Sequence, residues 1–244
     1  VSGYEAGQLL SVERLRRIER QLGDWPALTS ARVSYLPKPG GLADVVVRVT
    51  ERDRVPRRPI TLAMVGARAA VTREVRVALG PLTGGGDRAE FAWRFWHDRP
   101  KVSASLLLPA PWGGLWSAQI ATEKQPFTTP GLPREERLSA GLTTSAWTRG
   151  WFRWQSGAGL ERWARRGRFA TAQGGVDLAS LKGGAAVRVR AQTWLGSTRF
   201  SLVEMASRAT RETRTGRYAV VVRAAGSWIT TASPLDLWHA RARY

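Results

Sequence analysis

The sequence predicts a mainly β protein: an antiparallel transmembrane β-barrel preceded by a small α/β unit. Three observations carry that expectation. From Ile60 onward apolar and polar residues alternate, the alternating runs are long, and ten of the twelve tryptophans fall near the ends of those runs.

The first fifth of the chain reads differently from the rest. Ser11 is a good helix N-cap, and Val12, Leu15, Ile18 and Leu22 follow at helical spacing, with Arg14, Arg16, Arg17 and Arg20 off that stripe. Gly23 stands where a left-handed C-terminal glycine belongs. A strand over Ala31–Leu36, a turn over Pro37–Gly41 and a second strand over Asp44–Glu51 complete a helix–strand–strand unit. One helix and two strands are too little to bury a core alone. The run Arg52–Pro59, with two prolines and four arginines, reads as a linker.

Beyond it the period is two. Phe91, Trp93 and Phe95 alternate with Glu90 and Arg94, Leu106 and Leu108 with Ser103 and Ser105, and Val187 and Val189 with Arg188 and Arg190. One face of each strand is therefore apolar and the other polar. Turn signals separate about eleven strands, at 60–68, 71–80, 88–96, 101–109, 115–125, 135–147, 151–163, 167–178, 184–195, 197–209 and 216–229. Soluble strands usually run to about five or six residues, whereas tilted strands of about nine to eleven cross a bilayer. With no helix expected in the series, residues 60–229 form one antiparallel meander.

Alternation alone leaves a soluble sandwich open, with its apolar residues against a second sheet. Strand length, an arginine-rich polar set and aromatic residues at strand ends favour the membrane barrel, whose apolar face meets lipid and whose polar face lines the lumen. Trp93, Trp96, Trp112, Trp116, Trp147, Trp151, Trp194 and Trp228 are the expected interface aromatics. Phe91, Trp93, Phe95, Leu106, Leu108, Val187, Val189, Val220 and Val222 are expected to face outward, and Arg88, Arg94, Arg188, Arg190 and Arg223 to line the lumen. An open soluble sheet of this size would also leave troublesome edges, which closure removes.

Composition excludes several chemistries. Without cysteine there is no disulfide, thiolate nucleophile or cysteine-ligated metal, and two histidines nearly exclude a multi-histidine centre. The net charge of +19 is carried by arginine, with only four lysines. Such a bias has three readings, nucleic-acid binding, affinity for anionic lipid and arginine-rich codon usage, and the arginines are spread evenly instead of clustered on one element. Gly84, Gly85, Gly86 and Asp87 join two strands without a following lysine or helix, so they read as a hairpin turn and not a phosphate cradle. Glu135 and Glu136 are adjacent and point to opposite faces of a strand, which rules them out as an acid–base pair. His97, Asp98 and His239 have no nucleophile at a telling distance. No enzyme activity, cofactor or metal is expected.

The helix Val12–Leu22, the strand around Ala31, Val33 and Tyr35, and the strand Asp44–Glu51 resemble the second half of a POTRA domain. Followed by a short basic linker and long hairpins, the combination looks like the outer-membrane assembly superfamily of the BamA and TamA type, the bacterial surface antigens. The resemblance implies a partial POTRA unit over residues 1–51, a linker over 52–59 and a barrel over 60–244, incomplete at about 11 of the family's 16 strands. The family's Arg-Gly-Phe or Arg-Gly-Tyr tripeptide is not present, so the chain reads as truncated at both ends. The resemblance further implies a non-enzymatic factor that assembles, inserts or translocates proteins at the Gram-negative outer membrane, with the POTRA part periplasmic. Client strands would meet Ala31, Val33 and Tyr35, and a weak barrel seam at Ile60, Leu62 and Met64. The implied partners are outer-membrane lipid, unfolded or secreted clients and periplasmic accessory proteins, and not nucleic acid. The basic linker Arg52–Arg58 would lie at the membrane surface, where each arginine gains about 1 kcal/mol from anionic headgroups. A porin-like channel and a soluble, basic, nucleic-acid-binding β protein are the alternatives. A sheet ending at Ile229 would leave unpaired edges, so the chain alone is expected to need detergent and to lack insertase activity.

Overall fold

A computed structural model describes residues 9–51, 59–97, 99–125, 135–181, 184–212 and 219–230. Helix α1 (Val12–Gly23) begins where the sequence places it, with the Ser11 side chain accepting from the Arg14 amide at 3.2 Å. Leu15, Ile18 and Leu22 are its buried stripe. Gly23 is still helical, and Asp24 ends the helix in right-handed geometry, so the expected left-handed glycine cap is not used. Strands β1 (Leu28–Lys38) and β2 (Leu42–Glu51) pair antiparallel with Val33 opposite Val47 and Tyr35 opposite Val45. The connection has Gly40 at φ 80° and Gly41 at φ 73°, a backbone that favours glycine. This hairpin is a sheet of its own, and α1 packs on β1.

The next element corrects the sequence reading. Ile60, Leu62 and Met64 do not open the barrel as a strand: they lie in helix α2 (Pro59–Thr72), which also breaks the expected meander at its start. Ala63, Val65, Ala67, Ala69 and Ala70 fill the positions between and after them, so the segment is apolar at nearly every residue. Alternation cannot be told from a helix in such a run, and its alanines favour the helix. Arg73, at φ 52°, ends it, and the Trp96 indole donates to the Thr72 carbonyl at 2.6 Å. No helix among the described residues is long and apolar enough to cross a membrane. The linker Arg52–Arg58 lies outside the described residues.

Ten strands follow in one sheet, each paired antiparallel with its sequence neighbours. They are β3 (Glu74–Leu79), β4 (Arg88–Arg94), β5 (Lys101–Pro109), β6 (Leu115–Gln125), β7 (Glu135–Trp147), β8 (Phe152–Trp163), β9 (Gly167–Ala179), β10 (Ala185–Leu195), β11 (Arg199–Glu212) and β12 (Ala219–Ile229). The sheet is not closed. Among the described residues its order runs from β3 to β12, with those two at its ends.

Register fixes two faces. One carries Val75, Phe91, Val102, Ile120, Leu138, Leu160, Val176, Val189, Met205 and Val222, and the other carries Arg76, Glu90, Ser103, Gln119, Arg137, Glu161, Gln173, Arg190, Glu204 and Arg223. The polar face is concave, because a single cavity of about 270 Å³ is lined by residues from β5 through β10. Phe91, Trp93, Phe95, Leu108 and Val222 are exposed on the outer side; Leu106, Val187 and Val189 are half-covered there. The side chain of Val220 lies outside the described residues. No second sheet covers this face among the described residues.

Glycines admit the curl. Gly157 and Gly159 lie on the concave face, where side chains of neighbouring strands converge. A Cβ on Gly159 would stand 2.5 Å from the Ala140 carbonyl oxygen, and one on Gly157 would stand 2.7 Å from that of Leu142. Neither carbonyl belongs to a flexible group that could yield.

Candidate functional site

The concave face is ordered by charge. Glu161, on β8, is 5% exposed and accepts from three donors: Arg137 of β7, the Trp163 indole at 2.9 Å and the Trp194 indole at 2.8 Å. Arg137 also donates to Glu123 of β6 at 3.1 Å, and Lys101 of β5 stands 3.8 Å from the same carboxylate. A buried carboxylate is tolerable only with such partners. Beside it Trp163, Phe169, Trp194, Phe200 and Leu202 form the apolar cluster of the sheet, with Trp194 stacked on Phe200 at 4.8 Å. This cluster lies at the rim that ends β8 and β10.

At the opposite rim α1 is docked. Arg20 donates to the carbonyls of Gly150 and, at 2.9 Å, Ser180; Arg17 reaches that of Thr148 at 3.4 Å, and Gln21 that of Trp147 at 3.2 Å. Asp24 accepts from the Trp147 indole at 3.0 Å and pairs with Arg153 at 3.3 Å. Burial raises the Asp24 carboxyl above its ordinary value, opposed by the Arg153 charge and the indole hydrogen bond. Burial likewise lowers the Arg20 guanidinium. Between α1 and the β5–β6 turn lies a cavity of about 570 Å³ lined by Arg17, Gln21, Asp24, Trp25 and Trp112 among others. The neighbouring turn Gly84–Asp87 is a hairpin connection, as its residues predict. Asp87 accepts from the Thr83 hydroxyl at 2.7 Å and from the Leu82 and Thr83 amides, and these bonds hold its carboxyl below the usual range.

The sequence-predicted residues fall as follows. Ala31, Val33 and Tyr35 lie on β1, which pairs with β2 on one side only. Ile60, Leu62 and Met64 lie in α2, beside the edge strand β3 instead of within it. Arg88, Arg94, Arg188, Arg190 and Arg223 share the polar face. Their charge is partly answered there: Arg88 pairs with Glu90 at 3.1 Å and Arg188 with Asp177 at 2.7 Å, while Arg94 donates to the Arg99 carbonyl at 3.0 Å.

The tryptophans divide into two sets. Trp93, Trp116 and Trp228 lie on the outer face, and Trp112 and Trp151 in turns. Trp194 is fully buried on the inner face, Trp147 is bound to α1, and Trp96 shares a cavity with inner-face Arg94 and Arg76. These three do not share the outer face with Trp93, Trp116 and Trp228. A strand end places an aromatic near a rim without saying which face it takes, and for Trp194 the parity with Arg188 and Arg190 decides. Sequence reasoning missed Glu161, Arg137 and Asp24. Parity with the arginine set could have placed the first two on the inner face; nothing in the sequence brings Asp24 to Arg153.

The sequence matches no protein-family profile and no curated protein. Among solved structures, the fold is similar to a crystal structure of BamA from Haemophilus ducreyi lacking POTRA domains 1–3, with a TM-score of 0.54 at 10% identity. The match covers 94% of this chain and 51% of that one, so the chain spans about half the length of the protein it resembles. The likeness establishes the fold: a mainly β, antiparallel sheet of outer-membrane barrel type.

Proposed function

We propose that the protein is a non-enzymatic outer-membrane factor that assembles, inserts or translocates other proteins, with the α1–β1–β2 unit on the periplasmic side as the end of a POTRA domain. The observation that carries this reading is a barrel-type antiparallel sheet whose first strand, β3, follows a helix–hairpin unit fixed to one rim. An edge strand offers a row of unpaired amides and carbonyls, which hydrocarbon does not satisfy and an incoming strand does. The client is therefore an unfolded chain with β-strand character, received by strand addition at the free edge of β1 and at the open seam. The seam strand is β3, the first of the large sheet, with α2 beside it, and not a strand at 60–68. Lipid is the solvent of the outer face, periplasmic accessory proteins would approach the helix–hairpin unit, and no cofactor or nucleic acid takes part.

Cross-linking tests the reading. Because the chain has no cysteine, a single Val77→Cys on β3 gives a unique thiol at the seam, and Leu142→Cys on β7 gives one on a strand paired on both sides. With the chain in lipid vesicles and an unfolded barrel protein carrying one cysteine in its last strand, disulfide capture at Val77→Cys and none at Leu142→Cys is the expected result. Equal capture at both positions would remove the seam from the mechanism.

A further inference from the structure

The outer face of the large sheet has almost no charge, and where charge occurs it is confined to strand ends. By register, its charged positions are Lys124, Glu136, Arg162, Arg168, Arg199 and Arg211. All but Arg211 lie at the rim opposite α1, and four of those five are cations. Arg162 and Arg168 stand directly opposite each other across β8 and β9, and Arg199 opens β11 on the same side of the sheet. All three are exposed. Like charges directly opposed on neighbouring strands repel unless an anion lies between them.

The inner face of the same rim is treated differently. There Arg137 has Glu123 and Glu161, and Arg166 has Glu135 at 3.8 Å. No carboxylate pairs with Arg162, Arg168 or Arg199 among the described residues, and the β6–β7 loop at 126–134 contains no acidic residue. Glu136, the single outward acid, lies opposite Lys124. The protein neutralises its rim cations on the inside and leaves them bare on the outside. Just inward of them the surface turns apolar, with Leu160 and Leu138 exposed. Apolar residues bordered by bare cations fit the boundary between acyl chains and headgroups.

We propose that Arg162, Arg168 and Arg199 form an outward-facing site for the phosphate groups of anionic lipid headgroups, in the leaflet opposite the N-terminal unit. The assignment rests on the membrane-barrel reading, which supplies the lipid. The site gives that leaflet a fixed anchoring point on the β8–β11 side of the sheet. It is opposite in kind to the seam, where lipid must be displaced.

The test is native mass spectrometry of the full chain released from vesicles of phosphatidylcholine mixed with phosphatidylglycerol. Retained phosphatidylglycerol is counted relative to retained phosphatidylcholine. Each of Arg162→Gln, Arg168→Gln and Arg199→Gln should lower that preference about fivefold, as follows from loss of one surface cation near an anionic leaflet, and the triple variant by more than about tenfold. Arg208→Gln, which removes an equal charge from the concave face, should leave it unchanged. An unchanged preference in the triple variant overturns the site, as does an equal loss in Arg208→Gln, which would make net charge the cause. If an alkaline carbonate wash strips the wild-type chain from the vesicles, the membrane reading itself fails. Retention in the wash without headgroup preference is failure of the site alone.

Discussion

Two carboxylates carry much of the chemistry, and they behave in opposite ways. Glu161 is held by an arginine and two indoles, so removing it takes one of the two carboxylates from Arg137 and leaves two buried indole N–H groups without their acceptor. Breaking such a pair typically costs about 3–5 kcal/mol. Glu161→Ala is therefore expected to lower the urea midpoint of vesicle-folded protein by a corresponding amount, whereas Lys38→Ala, on the exposed pair with Asp44, should cost less than about 1 kcal/mol. Asp24 is half-buried, and burial outweighs its partners, so its carboxyl binds a proton more readily when α1 is docked than when it is free. The docked state then holds more protons through the window just above the ordinary value of 3.8, and docking weakens as pH rises through that window. Above it the dependence is flat. Hydrogen exchange of the α1 amides should report this loss of protection, and Asp24→Asn should abolish the pH dependence while keeping an acceptor for the Trp147 indole.

At the scale of elements, legibility followed the contrast between neighbouring residues. Strands such as β5 and β10, whose polar positions are Ser103, Ser105, Arg188 and Arg190, announced both their type and their faces. Helix α2 did not, because Ile60, Leu62 and Met64 alternate with residues nearly as apolar as themselves. Gly66 offers a direct check on it. Nothing lies within 4 Å of where its Cβ would be, so Gly66→Ala should stabilise the helix by about 0.5–1 kcal/mol, read as slower amide exchange over the segment. A strand there would gain nothing comparable. The concave glycines argue in the other direction: Gly159→Val forces a side chain against the Ala140 carbonyl and should lower folding yield in vesicles sharply, while Gly174→Val, with only the Gln155 carbonyl oxygen at 3.9 Å, should not.

For the whole molecule, the division into an apolar outside and a polar inside was readable from period two. What joins distant segments was not readable. The site around Glu161 needs β6, β7, β8 and β10 to bend toward one another, and bending is a property of the sheet, not of any strand. The two-sided character is measurable on adjacent residues of β6. Ile120→Arg, on the outer face at mid-strand, should cost about 2–4 kcal/mol in a bilayer, and Gln119→Arg, on the inner face, close to nothing. Comparable costs at both positions would contradict a lipid-facing outside. The docked helix has a different consequence. Arg17, Arg20 and Gln21 all donate to main-chain oxygens of the β7–β8 and β9–β10 turns. Since every residue type supplies the same carbonyl, the helix reads the path of those turns and not their composition, except at Gly150, where a Cβ would stand 2.6 Å from the Glu13 carbonyl oxygen. Thr148 and Ser180 can drift through substitution with the attachment intact, while a one-residue insertion in either turn would undo it.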